Sequence, residues 1–205
     1  IIDIIQRVGE DALLGIITNK NILEGQVHGV PIIGNDNDLP SLSKKLGFNH
    51  GIIGVYDNFV RHAIKDRIID LLPGFEFVTA IHPQASISSS AQIGAGTVVM
   101  GGVTINADCR IGQHCIVNTN SSVDHDCSLG DYVSVSPNSG IGGNVSIGDH
   151  SFIGMGSNII HNINIGNNNV IGSSSLVIRD IGSFILGYGT PFKEIKKIND
   201  NEKYL

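Results

Sequence analysis

An aliphatic residue recurs at every sixth position between residues 87 and 177 of this chain. Steps of six from Ile87 reach sixteen residues, and all of them are aliphatic: Ile87, Ile93, Val99, Ile105, Ile111, Val117, Val123, Leu129, Val135, Ile141, Ile147, Ile153, Ile159, Ile165, Ile171 and Val177. The next position is Gly in half of the hexads, and the fifth position is usually small. Helices repeat about every 3.6 residues and strands about every 2, so this spacing predicts a chain that turns a corner every six residues.

Three such sides make a turn of 18 residues, and sixteen hexads therefore make about five turns of a triangular prism. This is the hexapeptide-repeat form of the β-helix, here expected to be left-handed, with the aliphatic residue inward and the small residue beside it. Cys109, Cys115 and Cys127 all fall on the small inward position. We therefore expect them to be core residues and not nucleophiles or metal ligands.

The flanking segments have a different pattern. Residues 1–80 alternate predicted helices and strands, which indicates a small α/β unit of the Rossmann type. Its expected elements are a helix from Ile1 to near Gly9, strands at Leu13–Thr18 and Gly51–Tyr56, and helices at Asp38–Leu46 and Phe59–Leu72, with a short apolar patch at Val30–Ile33 among polar loop residues. Because the chain starts inside a helix, we expect the first strand and its glycine-rich turn to lie upstream. Residues 81–191 form the predicted β-helix, and residues 192–205 form a C-terminal helix or tail over its last turn.

Composition excludes several functions. The net charge is −6 and no run of Lys and Arg is present, so a nucleic-acid partner is not expected. No stretch of 18 apolar residues is long enough for a transmembrane helix. Three cysteines do not make a disulfide framework, and no signal peptide is evident, so the expected compartment is the cytoplasm.

Four segments carry a resemblance to a known family. They are Ile81-His82-Pro83, the ten residues from Asn118 to Cys127 (NTNSSVDHDC), Gly143-Asn144-Val145, and the exit loop from Gly189 to Lys193. On this two-domain layout the chain resembles the bacterial sugar acetyltransferases of the hexapeptide-repeat superfamily. The similar subgroups are those that N-acetylate nucleotide-linked 4-amino-sugars, as in bacillosamine synthesis, and those that O-acetylate sialic acid.

The resemblance implies the chemistry and the site. His125 would be the general base, with Asp124 and Asp126 to orient or polarise it. Beside this implied base, Asn118 is expected near the site, to bind substrate or to fix His125; Ser134 is a second candidate for substrate binding, and Gly143 and Lys193 are candidates for binding acetyl-CoA, with no metal. Acetyl-CoA would lie between the prisms of a homotrimer and the N-terminal unit would hold the nucleotide, in an enzyme of bacterial surface-glycan synthesis.

The residues around His125 support this role independently. His125 is third in the hexad that begins at Val123 and therefore points outward, between two carboxylates. Gly143 lies one turn later in the same column and leaves space beside the ring. A thioester already carries a good leaving group, so the reaction needs a base, positioning and an oxyanion donor but no metal.

Two departures from the family and three alternatives remain. The family often has a second histidine where this chain has Ser134. It usually has paired acidic residues where this chain has Thr18-Asn19-Lys20, so the binding of the nucleotide is expected to differ. The first alternative is an O-acetyltransferase for sialic acid or a relative. The second is a zinc hydratase, which needs three converging histidines and is tested by metal analysis. The third is a non-catalytic scaffold, which would not bind acetyl-CoA.

Overall fold

The computed structural model describes residues 1–9, 13–19 and 25–199. Residues 80–197 form a triangular β-helix. Its short strands stack into three sheets, one on each face, and the repeat strands within each sheet are parallel. The first face contains Ser86–Ile87, Thr104–Ile105, Ser122–Val123, Gly140–Ile141, Asn158–Ile159 and Leu176–Val177. The second contains Gln92–Ile93, Arg110–Ile111, Ser128–Leu129, Ser146–Ile147 and Asn164–Ile165. The third contains Ala80–Ile81, Val98–Val99, Ile116–Val117, Ser134–Val135, Phe152–Ile153, Val170–Ile171, Ile185–Tyr188 and, antiparallel at its edge, Lys193–Lys197.

The observed register confirms the hexad prediction. Each strand of the repeat pairs with the strand 18 residues later, as Ile105 does with Val123. The inward aliphatic residues form one continuous core with the three cysteines. Many corner residues are Asn or Asp with positive φ, for example Asp126 at 59° and Asn144 at 56°, which these side chains tolerate better than most. Hexapeptide repeats joined into parallel sheets fit the expected left-handed β-helix.

Within its described residues, the N-terminal unit contains three α-helices and two small sheets. Helix α1 spans Ile2–Val8, α2 spans Leu39–Leu46 after a 3₁₀ turn at Asp36–Asp38, and α3 spans Asn58–Leu71. Ile16–Ile17 pairs in parallel with Val30–Gly34, which pairs antiparallel with Gln26–Val27, and His50–Gly51 pairs in parallel with Glu76–Phe77. The helices lie where the sequence pattern predicts them, whereas the strands are shorter and divided between two sheets. A Rossmann-type unit completed by upstream residues stays a prediction.

Helix ends follow the capping signals of the sequence. The Asp57 side chain accepts a hydrogen bond from the Val60 backbone N–H at 2.9 Å, which begins α3. Gly9 ends α1 with a φ of 69°. Within the described residues no helix is long and apolar enough to cross a membrane, since α3 is the longest at 14 residues.

The N-terminal unit packs on the third face of the prism. Ile4 of α1 contacts the outward residues Ala80, Val98 and Ile116. In a triangular prism, the corner between the first and second faces is the vertex opposite the third face. That corner and the first face are therefore left uncovered by the N-terminal unit of the same chain.

The C-terminal prediction of a helix is wrong for the described residues. Lys193–Lys197 forms a strand antiparallel to Ile185–Tyr188. The last parallel strand offers unpaired backbone N–H and C=O groups at the sheet edge, and the returning chain satisfies them. Ile198 then packs with Phe152 and Val170 on the third face. The end of the expected tail, 200–205, lies outside the described residues.

Candidate active site

His125 lies at the uncovered corner between the first and second faces. In this coil the chain leaves the first face after the strand Ser122–Val123. It then turns through Asp126, whose φ is 59°. The His125 side chain points away from the core and is 60% exposed. The outward direction expected from the hexad is confirmed.

Asp126 is the carboxylate that touches the imidazole. Its Oδ2 lies 2.8 Å from His125 Nδ1. An ionised carboxylate only accepts hydrogen bonds, so Nδ1 carries a proton and Nε2 of the neutral ring is free to accept one. The hydrogen bond to Asp126, and then the charge of Asp124, raise the pKa of His125 above its usual value of 6.5. The arrangement is that of a general base with an orienting carboxylate.

Asp124 holds the backbone and not the ring. Its Oδ1 accepts a hydrogen bond from the His125 backbone N–H at 2.9 Å and another from Asn106 Nδ2 at 2.8 Å. The bond from Asn106, followed by the bond from His125, lowers the pKa of the Asp124 carboxyl. The two carboxylates flanking His125 therefore have different functions, which the sequence left undecided.

Gly143 lies beneath the imidazole, as its place in the column predicted. A Cβ at Gly143 would come within 2.8 Å of both Nε2 and Cε1 of His125. Gly143 itself is buried. The contact of Gly143 with acetyl-CoA stays a prediction, and within one chain the visible contribution of Gly143 is the space that it leaves for the ring.

A groove runs along the first face beside this corner. Its volume is about 410 Å³, and its walls are formed by Asn106, Ser122, Asp124, Gly140, Ile141, Gly142, Asn158 and Ile159. Gly140 and Gly142 expose backbone along the groove, and Asp124 brings it to the His125 turn. The groove is therefore wide enough for an extended chain next to His125.

A second cavity of about 260 Å³ lies near the C-terminal end of the prism, lined by Arg179, Asp180, Ile181, Phe192, Lys193 and Glu194. Arg179 is 54 residues after His125, which is three turns along the same corner. At about 4.8 Å between strands, three turns are roughly 14 Å. Lys193 therefore shares its cavity with a second cation on the corner that carries His125.

Ser134 is not available to a substrate. It is fully buried under α3, where its hydroxyl donates to Asn58 Oδ1 at 2.6 Å and accepts from Arg61 Nη2 at 3.3 Å. The expected role in substrate binding is wrong because the N-terminal unit covers this position. In this chain Ser134 belongs to a buried polar contact between the two units.

Asn118 lies at a different corner from His125. It follows the third-face strand Ile116–Val117, and its Oδ1 accepts from the Thr119 backbone N–H at 2.8 Å. The first-face strand Ser122–Val123 separates the two corners. The expectation that Asn118 lies beside His125 does not hold within one chain, so any shared site would need a second chain.

The cysteines are core residues, as predicted. Burial raises the pKa of the Cys115 thiol to about 12 and that of Cys127 to about 11, and it also raises the pKa of Cys109. Thiols in this state are protonated at neutral pH and are poor nucleophiles. Among the residues that the structure describes, no group of three His, Cys, Asp or Glu side chains is placed to hold a metal ion.

Three polar residues that make contacts or line a cavity in the folded chain were not predicted from the sequence. Asn106 contacts Asp124 from one turn earlier, and Arg179 lies three turns after His125. Both were accessible from the 18-residue spacing alone. Arg61 was not, because its partners lie far away along the chain: it donates to the carbonyls of His114 at 2.7 Å and Tyr132 at 3.1 Å.

Comparisons with known proteins agree with this geometry. The family model described as bacterial transferase hexapeptide (six repeats) matches residues 108–143 and 144–179. A comparison with curated protein sequences gives no match. Among solved structures, a variant of perosamine N-acetyltransferase from Caulobacter crescentus, in complex with CoA and GDP-perosamine, has a TM-score of 0.89 and 35% identity over 96% of this chain and 90% of that one.

Two further structures extend the comparison. The acetyltransferase domain of PglB from Neisseria gonorrhoeae, in complex with acetyl coenzyme A, has a TM-score of 0.87 and 31% identity over 94% of this chain and 91% of that one. WeeI from Acinetobacter baumannii has a TM-score of 0.82 at 22% identity, over 94% and 91% of the two chains, a likeness that shows the fold alone.

The repeat and the fold define the class as the hexapeptide-repeat transferases. Within that class, identity above 30% over nearly the full length is shared with sugar N-acetyltransferases. The chain belongs to the hexapeptide-repeat sugar acetyltransferase family, as the resemblance of its sequence suggested.

Proposed function

We propose that this protein transfers the acetyl group of acetyl-CoA to the 4-amino group of a nucleotide-linked amino-sugar. The observation that carries the proposal is the state of His125: Nδ1 is held by Asp126, and the ring is 60% exposed next to Asp124, which lines the groove. The similarity to perosamine N-acetyltransferase in complex with CoA and GDP-perosamine supports the choice of substrates. A guanosine diphosphate sugar is therefore the first acceptor to test.

The corner supplies the general base and the carboxylate that orients it. The neutral amine attacks the thioester carbonyl carbon, and His125 Nε2 takes the proton that the amine loses as the C–N bond forms. The C–S bond then breaks, and the proton passes from Nε2 to the departing thiolate, which leaves an amide and free CoA. Asp126 stabilises the imidazolium that exists between these two transfers.

Acetyl-CoA is proposed to lie along the first–second corner. The glycine-lined groove beside Asp124 would take the pantetheine arm, and Arg179 with Lys193 would meet phosphate groups at the C-terminal end. The separation of roughly 14 Å between His125 and Arg179 suits an extended arm between thioester and phosphates. Charge-assisted bonds from these two cations would favour phosphate binding.

The acceptor nucleotide is proposed to bind to the N-terminal unit. Asn19 and Asp36 follow the parallel strands Ile16–Ile17 and Val30–Gly34, and they hydrogen-bond to each other through side chains and the Asp36 backbone. Arg67 Nε of α3 lies 3.2 Å from Asp36 Oδ2. Ligands of open parallel sheets bind at the carboxyl ends of the strands, which is where this group lies.

A homotrimer follows from these two assignments. The N-terminal unit covers the third face, whereas His125 lies at the opposite vertex, so one chain cannot present both substrates to one another. A second copy whose N-terminal unit faces the His125 corner completes the site, and the trimer that the resemblance implies is consistent with closed cyclic symmetry. The compartment of these substrates, the cytoplasm, is the proposed location.

The test is a CoA-release assay over a panel of acceptors. The panel contains GDP- and UDP-linked 4-amino-sugars and free sialic acid, each with wild type and His125→Ala. Release with an amino-sugar and loss of release in the variant support the proposal. Release with sialic acid alone would favour O-acetylation, and a light-scattering mass of one chain at micromolar concentration would exclude the shared site.

A further inference from the structure

We propose that Asn106 is a positioning residue for the transfer, because it holds Asp124 and thereby the peptide that carries His125. The inference rests on the proposed function of His125. Asn106 lies on the corner turn one coil before Asp124 and is exposed on the wall of the first-face groove.

The Asn106 side chain and the His125 backbone share one hydrogen-bond acceptor on Asp124. Asn106 Nδ2 donates to Asp124 Oδ1 at 2.8 Å, and the same oxygen accepts from the His125 backbone N–H at 2.9 Å. One carboxylate oxygen thus connects two successive coils at the point where the histidine leaves the backbone. Asn106 reaches His125 only through this oxygen.

The contact matters because the His125 N–H bonds to the Asp124 side chain, whereas the flanking N–H groups of Asp124 and Asp126 donate to backbone carbonyls of the neighbouring coils at 2.9 and 3.0 Å. The His125 ring is 60% exposed, with one side-chain hydrogen bond to Asp126 and the surface of Gly143 beneath it. The Asp124 side chain bonds the peptide of His125 only while its own rotamer is fixed. Loss of the Asn106 donor frees that rotamer, and a small displacement of a base from its reactive geometry is costly in rate.

A neighbouring pair shows how position and charge can be separated. Asn144 Nδ2 donates to Asn162 Oδ1 at 2.8 Å, with the same 18-residue spacing at the same corner. An amide–amide pair therefore forms an inter-coil bond at this corner, in a different column from Asn106 and Asp124. Asn162 supplies the control. It makes an inter-coil bond of the same kind in the column of Asp126 and Asn144, two coils beyond Asp126 and without contact to Asp124.

The first experiment is a double-mutant cycle on kcat. Asn106→Ala is expected to lower kcat by roughly 10- to 30-fold, the lower part of the range for a lost hydrogen bond to a charged group because Asn106 is exposed, with KM for acetyl-CoA within about twofold. In an Asp124→Ala background the same change is expected to have no further effect, because nothing remains for Asn106 to hold. Asn162→Ala is expected to leave kcat unchanged.

Two outcomes of the cycle would overturn the proposal. Multiplying effects of Asn106→Ala and Asp124→Ala would show that Asn106 acts without Asp124. A raised KM for acetyl-CoA at unchanged kcat would make Asn106 a substrate contact in the groove.

The second experiment exchanges the two groups. Asn106→Asp alone sets two carboxylates against each other and is expected to be at least as harmful as Asn106→Ala. Combined with Asp124→Asn, the amide at position 124 donates to the carboxylate at position 106 and still accepts from the His125 N–H. Recovery of kcat to within about threefold of the Asp124→Asn single variant is expected, and an exchange no better than Asn106→Asp alone would contradict the proposal.

A measurement that does not depend on enzyme turnover distinguishes this inference from the proposed function. Amide hydrogen exchange of residues 121–127 is expected to quicken in Asn106→Ala and to stay unchanged in Asn162→Ala. Unchanged exchange in Asn106→Ala would overturn the positioning role even in an active enzyme. A wild-type protein that releases no CoA with any acceptor would instead contradict the proposed function. The hydrogen-exchange measurement would still test the positioning role of Asn106 in that case.

Discussion

The imidazole of His125 rests on Gly143, so closely that a Cβ on Gly143 would come within 2.8 Å of the ring atoms Nε2 and Cε1. The backbone of Gly143 does not have a positive φ, so alanine is sterically excluded there by the ring and not by the backbone. The pair is set by the 18-residue period, which places Gly143 one coil after His125.

Gly143→Ala should therefore impair catalysis with little effect on folding. The methyl group displaces the ring, and a shift of about 1 Å in a reacting group costs up to roughly 10²-fold in rate. We expect kcat to fall by that order while the Tm changes by no more than about 2 °C, because the displaced ring is exposed and free to move. Gly143→Ala in a His125→Ala background should have no effect on the Tm, and wild-type kcat in Gly143→Ala would show that the ring position is not critical.

His125→Ala should reduce kcat by roughly 10²- to 10⁴-fold, the usual contribution of a positioned general base. The Tm should barely change because the side chain lies outside the core. A base works unprotonated, and the pKa of His125 is raised, so the acidic limb of kcat/KM should lie above pH 6.5 in wild type and vanish in the variant. His161→Ala, in the same column two coils later, is the control, and an acidic limb that persists in His125→Ala would assign the base elsewhere.

Asp126→Asn should be milder and should move the acidic limb. The hydrogen bond to the Asp126 carboxylate is the largest cause of the raised pKa of His125, so its loss lowers that pKa and moves the limb to lower pH. Asparagine already occupies the corresponding corner at Asn144 and Asn162 with φ near that of Asp126, so the backbone accepts the change. A limb that stays in place in pH–rate measurements would contradict the contact.

Arg61→Met should weaken the junction between the N-terminal unit and the prism. The buried guanidinium donates to the carbonyls of Val55, Tyr56, His114 and Tyr132, and its removal leaves buried acceptors unsatisfied. We expect a loss of at least about 3 kcal/mol, because each buried acceptor left unsatisfied costs about 1–3 kcal/mol, measured by denaturant unfolding, with faster proteolysis of residues 1–80. Arg67→Met removes an exposed ion pair and should cost at most about 1 kcal/mol, so equal losses in the two variants would be inconsistent with this account.

Acid should destabilise the protein through His114. Burial, followed by the nearby Arg61 and Lys65 charges, lowers the pKa of His114 from 6.5 to about 4. The unfolded chain then binds more protons than the folded one between those values, so stability falls as the pH drops from about 6.5 to 4, by up to ~1.4 kcal/mol per pH unit. His114→Phe should flatten this slope whatever its effect at pH 7, whereas the exposed His161→Gln should leave the slope unchanged; a His114→Phe protein with the wild-type slope would refute the assignment.

The sequence by itself determined the prism and most of the His125 corner. Each coil contacts only the coils 18 residues before and after it, so a repeat visible along the chain translates directly into columns in space. Gly143 follows His125 by one period, which is why their contact could be predicted from residue spacing alone, whereas only the folded chain shows that Asp126 and not Asp124 touches the ring. The buried cysteines followed from the same register.

The tertiary structure decided which surfaces of the prism remain open. α3 carries Asn58 and Arg61 onto partners 53 to 93 residues away, and no period relates these positions. This docking buries Ser134 and leaves the opposite vertex, with His125, uncovered. The C-terminal strand likewise depends on an unpaired sheet edge that its own residues do not encode, and it brings Lys193 to Arg179. Contacts within the repeat are local and recur, whereas contacts between the units join unlike surfaces, and only the folded chain shows where those surfaces meet.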